Sequence, residues 1–154
     1  MKLAFTYPDH HSAGHEWERR DLYEWLTDVF EAPGVTIRPG ATTQIKEHVT
    51  AEFVNAGWAM NAHLDQEVNL TVTAMKGDVA FQLQTGNMSR APYDLLKMQY
   101  LCTSGKINIA AIALPTVKAA KVMGDNLANA ERVIRELQLF EKVITVPVLV
   151  VAFD

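Results

Sequence analysis

The sequence predicts an α/β sandwich, a mixed central sheet flanked by helices. Three features predict it. Residues 68–75 alternate Val68, Leu70 and Val72 with Asn69, Thr71 and Thr73, and residues 79–84 alternate Val79, Phe81 and Leu83 with Ala80, Gln82 and Gln84. Lys76-Gly77-Asp78 between them makes the pair a hairpin. Residues 106–114 are almost wholly apolar, as a strand buried on both faces is. Apolar residues recur at helical spacing on either side of that strand.

The elements follow in order. An extended N-terminal piece leads through His11-Ser12-Ala13-Gly14 into a helical pattern carrying Trp17, Leu22, Trp25, Leu26, Val29 and Phe30. Pro33-Gly34 ends that pattern. Residues 35–38 read as a short strand before the Pro39-Gly40 turn. Thr42 or Thr43 is placed to cap a second helix reaching residue 55, buried through Ile45, Val49 and Phe53 and closed by Gly57. After the hairpin, Pro92 opens a helix in which Tyr93, Leu95, Leu96, Met98, Tyr100 and Leu101 cover most of the circumference. A helix over residues 126–140 turns Leu127, Ala130, Ile134, Leu137 and Phe140 inward. Residues 143–153 form the last strand, interrupted by Pro147.

The chain has 154 residues, read as a single domain over 1–154, with 49% apolar and 21% charged residues, which excludes disorder and coiled coil. No run approaches the roughly 20 apolar residues that span a bilayer, and no membrane partner is expected. The start shows no apolar signal segment, so a cytoplasmic location is expected. Cys102 is the one cysteine, which rules out an internal disulfide and a multi-cysteine zinc site. The net charge of −4 argues against a nonspecific polycation binder. It hides an asymmetry, however: residues 1–67 hold 5 Lys/Arg against 11 Asp/Glu, and residues 68–154 hold 9 against 7. There is no phosphate-binding glycine loop, dinucleotide fingerprint or serine-nucleophile elbow. Gly86 and Gly105 read as turn glycines.

A series of blocks carries a family resemblance. The first is Asp78-Val79-Ala80-Phe81-Gln82-Leu83-Gln84-Thr85-Gly86-Asn87, followed by Tyr93-Asp94-Leu95-Leu96-Lys97 and the apolar strand closing in Leu114-Pro115-Thr116. Asn129-Ala130-Glu131-Arg132 and Val146-Pro147-Val148-Leu149-Val150 come after, and Phe53-Val54-Asn55-Ala56-Gly57-Trp58 stands upstream. Together, over about residues 42–153, these resemble the PD-(D/E)XK nuclease fold in its BglII/BamHI-type restriction endonuclease branch. The resemblance implies a restriction endonuclease-like sandwich. It also implies a Mg²⁺-dependent DNA endonuclease acting on double-stranded DNA as a homodimer. Hydrolysing a phosphodiester requires activated water and neutralised phosphate oxygens, and Mg²⁺ does both through hard oxygen ligands.

The resemblance places a metal-binding Glu at Gln82, a Gln, Glu or Lys at Gln84, and a metal-binding Asp at Thr73. This sequence departs from the pattern at Gln82 and Thr73, which bring no charge. Asp65 and Glu67, before the hairpin, are alternative metal ligands if the register is longer. Glu47 and Glu52 on the preceding helix are candidates for an added acidic group. Three readings follow. The chain is a natural non-cleaving relative with a DNA-related or protein-binding role, such as an inhibitory partner of an active paralogue. Alternatively it is an inactivated form carrying Gln82 in place of Glu, or a nuclease using Asp65 or Glu67 with Gln84. In the first two a degenerate site is expected and no metal is needed. The short chain leaves little room for base-reading arms and favours the non-catalytic class.

Asn87, Arg90, Lys97, Lys118 and Lys121 are the DNA-contact candidates, each weighed against a turn role or simple solvation. Arg132 and Arg135 share a helix face but are diluted by Asp125, Glu131 and Glu136. His10, His11 and His15 read as loop and capping residues rather than a metal cluster, and Cys102 as a buried small hydrophobe. Trp17, Trp25 and Trp58 are core or interface anchors, which makes the first helix a candidate dimer surface.

Overall fold

The computed structural model describes residues 1–65 and 67–154. One six-stranded sheet organises them, in the order β1-β6-β5-β4-β3-β2. The strands are β1 (Leu3–Tyr7), β2 (Ala59–Asp65), β3 (Leu70–Lys76), β4 (Val79–Leu83), β5 (Ile109–Pro115) and β6 (Val148–Phe153). The helices are α1 (Ala13–Glu18), α2 (Tyr23–Val29), α3 (Thr42–Asn55), α4 (Ala91–Thr103), α5 (Val117–Met123) and α6 (Ala130–Leu139). β2, β3 and β4 form an antiparallel meander, β4, β5 and β6 are parallel, and β1 closes the far edge antiparallel to β6. The α/β sandwich with a mixed sheet is therefore what the chain folds into.

Parallel strands need crossovers, and the helices supply them: α4 links β4 to β5, and α5 and α6 link β5 to β6. α4 and α6 cover one face of the sheet and α1–α3 the other, which is why β5 and β6 are buried at every residue and apolar throughout. On one face Phe81, Ile109, Leu149 and Phe153 pack with Trp17, Leu26, Phe30, Ile45 and Phe53. On the other, Ala80, Ile112 and Val150 pack with Leu95, Met98, Val133 and Leu137. A fully buried Phe or Leu of this kind stabilises by roughly 1.5–3 kcal/mol.

Several local expectations are corrected. The first helical pattern is two helices, α1 and α2, broken at residues 19–22, where Asp21 takes a φ of 54°. Its tryptophans turn inward: Trp17 is buried, and half-buried Trp25 stacks on Trp58, a buried residue between α3 and β2, with ring centroids 5.5 Å apart. Trp17 Nε1 also donates to the Ala110 carbonyl at 3.1 Å. The first helical region thus turns most of its aromatic surface into the fold. Residues 35–38 form no strand. α3 starts after Ala41 without a side-chain cap, and Gly57, at φ 78°, follows its end as expected. α6 buries Ala130, Val133 and Leu137 while Phe140 lies exposed. Two elements were not foreseen, β2 and α5. His10 and His11 tie the N-terminal loop to residues 141–144 through the Ile144 and Glu141 carbonyls. Burial first, then the neighbouring His11, keeps the His10 pKa below its ordinary value. Among the described residues no cluster of three or more His, Cys, Asp or Glu is placed to hold a metal, and no helix is long and apolar enough to cross a membrane.

The β3–β4 turn is locked from outside. Arg20 Nη2 donates to Asp78 Oδ2 at 2.6 Å and Arg20 Nε to Oδ1 at 3.3 Å, while Asn108 Nδ2 adds a bond of 2.9 Å. The Arg20 bonds hold the Asp78 pKa at about 2 against an ordinary 3.8. A depressed carboxylate stabilises the fold above its unfolded pKa and loses that contribution as pH falls through the folded one. Asp78→Asn should therefore cost ~1 kcal/mol near neutral pH, discounted for the partial exposure of the pair. Urea titrations across pH should show this gap closing as pH drops below about 4 toward about 2.

Candidate functional site

The hairpin that is locked at Asp78 comes apart at its other end. Backbone pairing between β3 and β4 runs through Lys76↔Val79, Met75↔Ala80 and Ala74↔Phe81, then stops. From there side chains continue the ladder. The Thr73 N–H donates to Gln82 Oε1 at 3.1 Å, and the Leu83 N–H donates to Thr73 Oγ1 at 3.0 Å. β4 meanwhile stays in register with β5 as far as Leu83↔Ala113, and the Gln84 N–H extends that pairing to the Ala113 carbonyl at 2.9 Å.

β3 and β2 bend together at this point. Their register holds from Ala59↔Met75 to His63↔Thr71, but Asn61 and Thr73 between them form no ladder pair, and Asn61 takes a φ of 50°. Residues two apart on a strand normally share a face. Here Ala74 packs into the core beside α1–α3, whereas Val72 packs into the core beside α4. A bend of this type re-aims side chains, as β-bulges do.

The parting of the strands opens a cleft of about 550 Å³. Lys46, Val49 and Thr50 of α3 form one wall, and Tyr93, Asp94 and Lys97 of α4 form the other. Thr73, Gln82 and Gln84, the three expected centres of the site, all line it, and so does Arg90. Gln84 is buried and braces the floor. Its Oε1 accepts the Gly86 N–H at 2.7 Å, and its Nε2 donates to Asp94 Oδ2. Asp94 Oδ1 pairs with Lys97 Nζ at 2.6 Å, the two side chains being only 4% and 11% exposed. The same Nζ donates to the Thr71 carbonyl at 2.9 Å, so one lysine bridges α4 to β3. A Cβ at Gly86 would sit 3.0 Å from Gln84 Oε1, close enough to press on the brace.

The remaining candidates lie elsewhere. Glu47 is exposed and Glu52 half-buried, and neither lines the cleft, because helical spacing turns positions 46, 49 and 50 toward it instead. Asp65 ends β2, and its Oδ1 accepts the Val68 N–H at 3.0 Å. Its cross-strand partner is Leu70, three residues along β3 from Thr73, which is about 10 Å of strand. Glu67 is exposed in the adjoining turn, outside the cleft. Asn87 accepts from the Ser89 N–H and hydroxyl at 2.9 and 2.8 Å, a capping role at an ordinary φ of −58°. Lys118 and Lys121 are exposed on α5, away from the cleft. Asp94, like Lys46, lines the site although no role was expected of it. Its one signal was the Asp94–Lys97 spacing, which puts both on one helix face.

A hard divalent cation does not fit this donor set. Asp94 is the one carboxylate lining the cleft among the described residues, and Lys97 already neutralises it. The Thr73, Gln82 and Gln84 side-chain oxygens each accept a backbone N–H. Mg²⁺ needs several free oxygens in near-octahedral array, at least one or two of them charged.

The sequence over residues 5–153 matches the family model described as restriction endonuclease BglII/BglIII. The fold is similar to the crystal structure of restriction endonuclease BglII complexed with a DNA 16-mer, with a TM-score of 0.66 and 14% identity, covering 72% of this chain and 55% of that one. It is also similar to free BglII, with a TM-score of 0.71 and 13% identity, covering 100% of this chain and 80% of that one. The chain thus spans little more than half the length of the DNA-complexed BglII chain. No curated protein sequence matches it.

The Asp94–Lys97 bridge is testable by a double-mutant cycle. Asp94→Ala strands a buried ammonium and should destabilise the fold by about 2–3 kcal/mol in urea unfolding. Adding Lys97→Met should recover a large part of that loss, since no unpaired charge is then left behind.

Proposed function

The chain belongs to the restriction endonuclease BglII/BglIII family, and on that premise we propose that it binds duplex DNA in the β3–β4 cleft without cutting it. The observation that carries this reading is the pair Thr73 and Gln82. They occupy the two positions where the resemblance implies metal-binding carboxylates, and both are engaged in holding β3 to β4. The family typically depends on Mg²⁺, whereas this cleft offers such an ion one carboxylate, itself paired. Lys46, Arg90 and Lys97 face the same space, so the cleft walls carry three cations against one anion. That balance favours a polyanion although the whole chain is acidic. The BglII chain solved with DNA supports the choice of duplex as the polyanion. The variant set of Asp65 or Glu67 with Gln84 is disfavoured, because both acids lie outside the cleft.

A homodimer belongs to the same proposal. Tyr93, Leu96 and Tyr100 stand on one face of α4 and are 49%, 53% and 50% exposed. A stripe of this kind beside the cleft suits a two-fold, self-complementary contact that would bring two clefts to one duplex. Leu96→Glu should convert a dimer to a monomer in sedimentation velocity.

Plasmid DNA with Mg²⁺ or Mn²⁺ tests the catalytic claim. The protein should leave supercoiled plasmid intact, and metal-dependent nicking by the unaltered chain would refute the reading. Thr73→Asp/Gln82→Glu tests its cause. Both new carboxylates can still accept the Thr73 and Leu83 N–H groups, so the double variant should fold, and cutting by it alone would mark the site as a vestige.

A further inference from the structure

We infer that this cleft has exchanged the polarity of a cation site for that of an anion site, presenting hydrogen-bond donors to a phosphate group with no divalent ion. The inference rests on the DNA reading only for the source of that phosphate.

Backbone donors fix the orientation of each side chain. Because the Thr73 N–H donates to Gln82 Oε1, the Nε2 end of that amide carries two protons with no partner among the described residues. Gln82 is half-buried and lines the cleft. Because the Leu83 N–H donates to Thr73 Oγ1, the hydroxyl proton is left to be donated. Gln84 is saturated between the Gly86 N–H and Asp94. Lys97 spends two of its three protons on Asp94 and Thr71 and keeps the third. Arg90 and Lys46 make no side-chain hydrogen bond or ion pair among the described residues, and both line the cleft.

The chain's own N–H donors thus already engage the Thr73, Gln82 and Gln84 oxygens, which are uncharged, and the one carboxylate is paired, while amide, hydroxyl, ammonium and guanidinium protons are left over. Metals bind lone pairs and phosphates bind protons, so this surplus selects the phosphate. Lys97, its charge balanced by Asp94, offers its remaining proton to a phosphate oxygen, while Arg90 and Lys46 bring the net positive charge. It is pre-placed at little further cost in side-chain freedom by its two existing bonds.

Fluorescence anisotropy of a labelled duplex, with the full chain in EDTA and then in Mg²⁺ at constant ionic strength, tests this. Phosphorus-31 line broadening of inorganic phosphate is measured in parallel. The duplex should bind in EDTA, inorganic phosphate should compete, and Mg²⁺ should give no enhancement. Gln82→Glu, nearly isosteric, should lose roughly tenfold in affinity for both ligands in EDTA. Arg90→Ala, on an exposed side chain that should not disturb the fold, should weaken both by several-fold. Phosphate binding sensitive to Gln82→Glu, but no duplex binding, would uphold the anion site and end the DNA reading. Duplex binding unchanged by both substitutions would overturn the anion site and leave DNA bound elsewhere. Binding of neither ligand, or Mg²⁺-enhanced duplex binding by the unaltered chain, would overturn it as well.

Discussion

The structure depends on the way β3 parts from β4. At Ala74↔Phe81 the two strands are an ordinary ladder, and one residue later the Thr73 hydroxyl and the Gln82 amide do the backbone's work. An unpaired backbone N–H in a half-buried groove costs about 1–3 kcal/mol. Some acceptor must therefore meet Thr73 N and Leu83 N once the strands separate. A short hydroxyl and an amide meet them without adding charge. The cleft, its walls on α3 and α4, and its electrostatic character all follow from that substitution. The Arg20–Asp78–Asn108 lock at the other end keeps the hairpin together while this end opens.

The same constraint separates fold from chemistry. Two acidic side chains at Thr73 and Gln82 could satisfy the same backbone donors and still offer spare oxygens outward, so the scaffold does not dictate the charge of its cleft. In this chain the brace of Gln84, Asp94 and Lys97 is internally neutral, and the positive surplus comes from Arg90 and Lys46 at the rim. A family fold is thereby retained while the sign of what it attracts at close range changes. The net charge of −4 is compatible with this, because the acids of residues 1–67 lie on α1, α2 and their loops, on the outer face of α3 and at the β2–β3 turn, outside the cleft.

Much of this was legible in the sequence, where periodicity and burial agree. The alternation of residues 79–84 predicts β4 and its two faces, and the unbroken apolar run predicts β5 as a central strand. β2 was not legible, because Ala59-Met60-Asn61-Ala62-His63 has no β-branched residue and no clean alternation. The break between α1 and α2 was hidden because the apolar spacing continues across Asp21, whose positive φ has no sequence marker. The family resemblance marks Gln82 and Gln84, and the register of a short hairpin then points to Thr73. Asp94 carries no such mark, since a buried acid and a solvated helix acid look the same until the partners, Gln84 and Lys97, come together in space. Glu47, Glu52, Asp65 and Glu67 were named as acids near the site in sequence, but helix phase and strand direction carry them away from it.

Phosphate binding in the cleft depends on the Gln82 amide turning its protons toward it. Side-chain amide NMR of nitrogen-15-labelled protein addresses it directly, because the Gln82 Nε2 protons can be assigned by their loss in Gln82→Glu. These two resonances should shift on addition of phosphate, and Mn²⁺ should not selectively broaden them. Selective broadening by Mn²⁺, with no response to phosphate, would contradict that dependence.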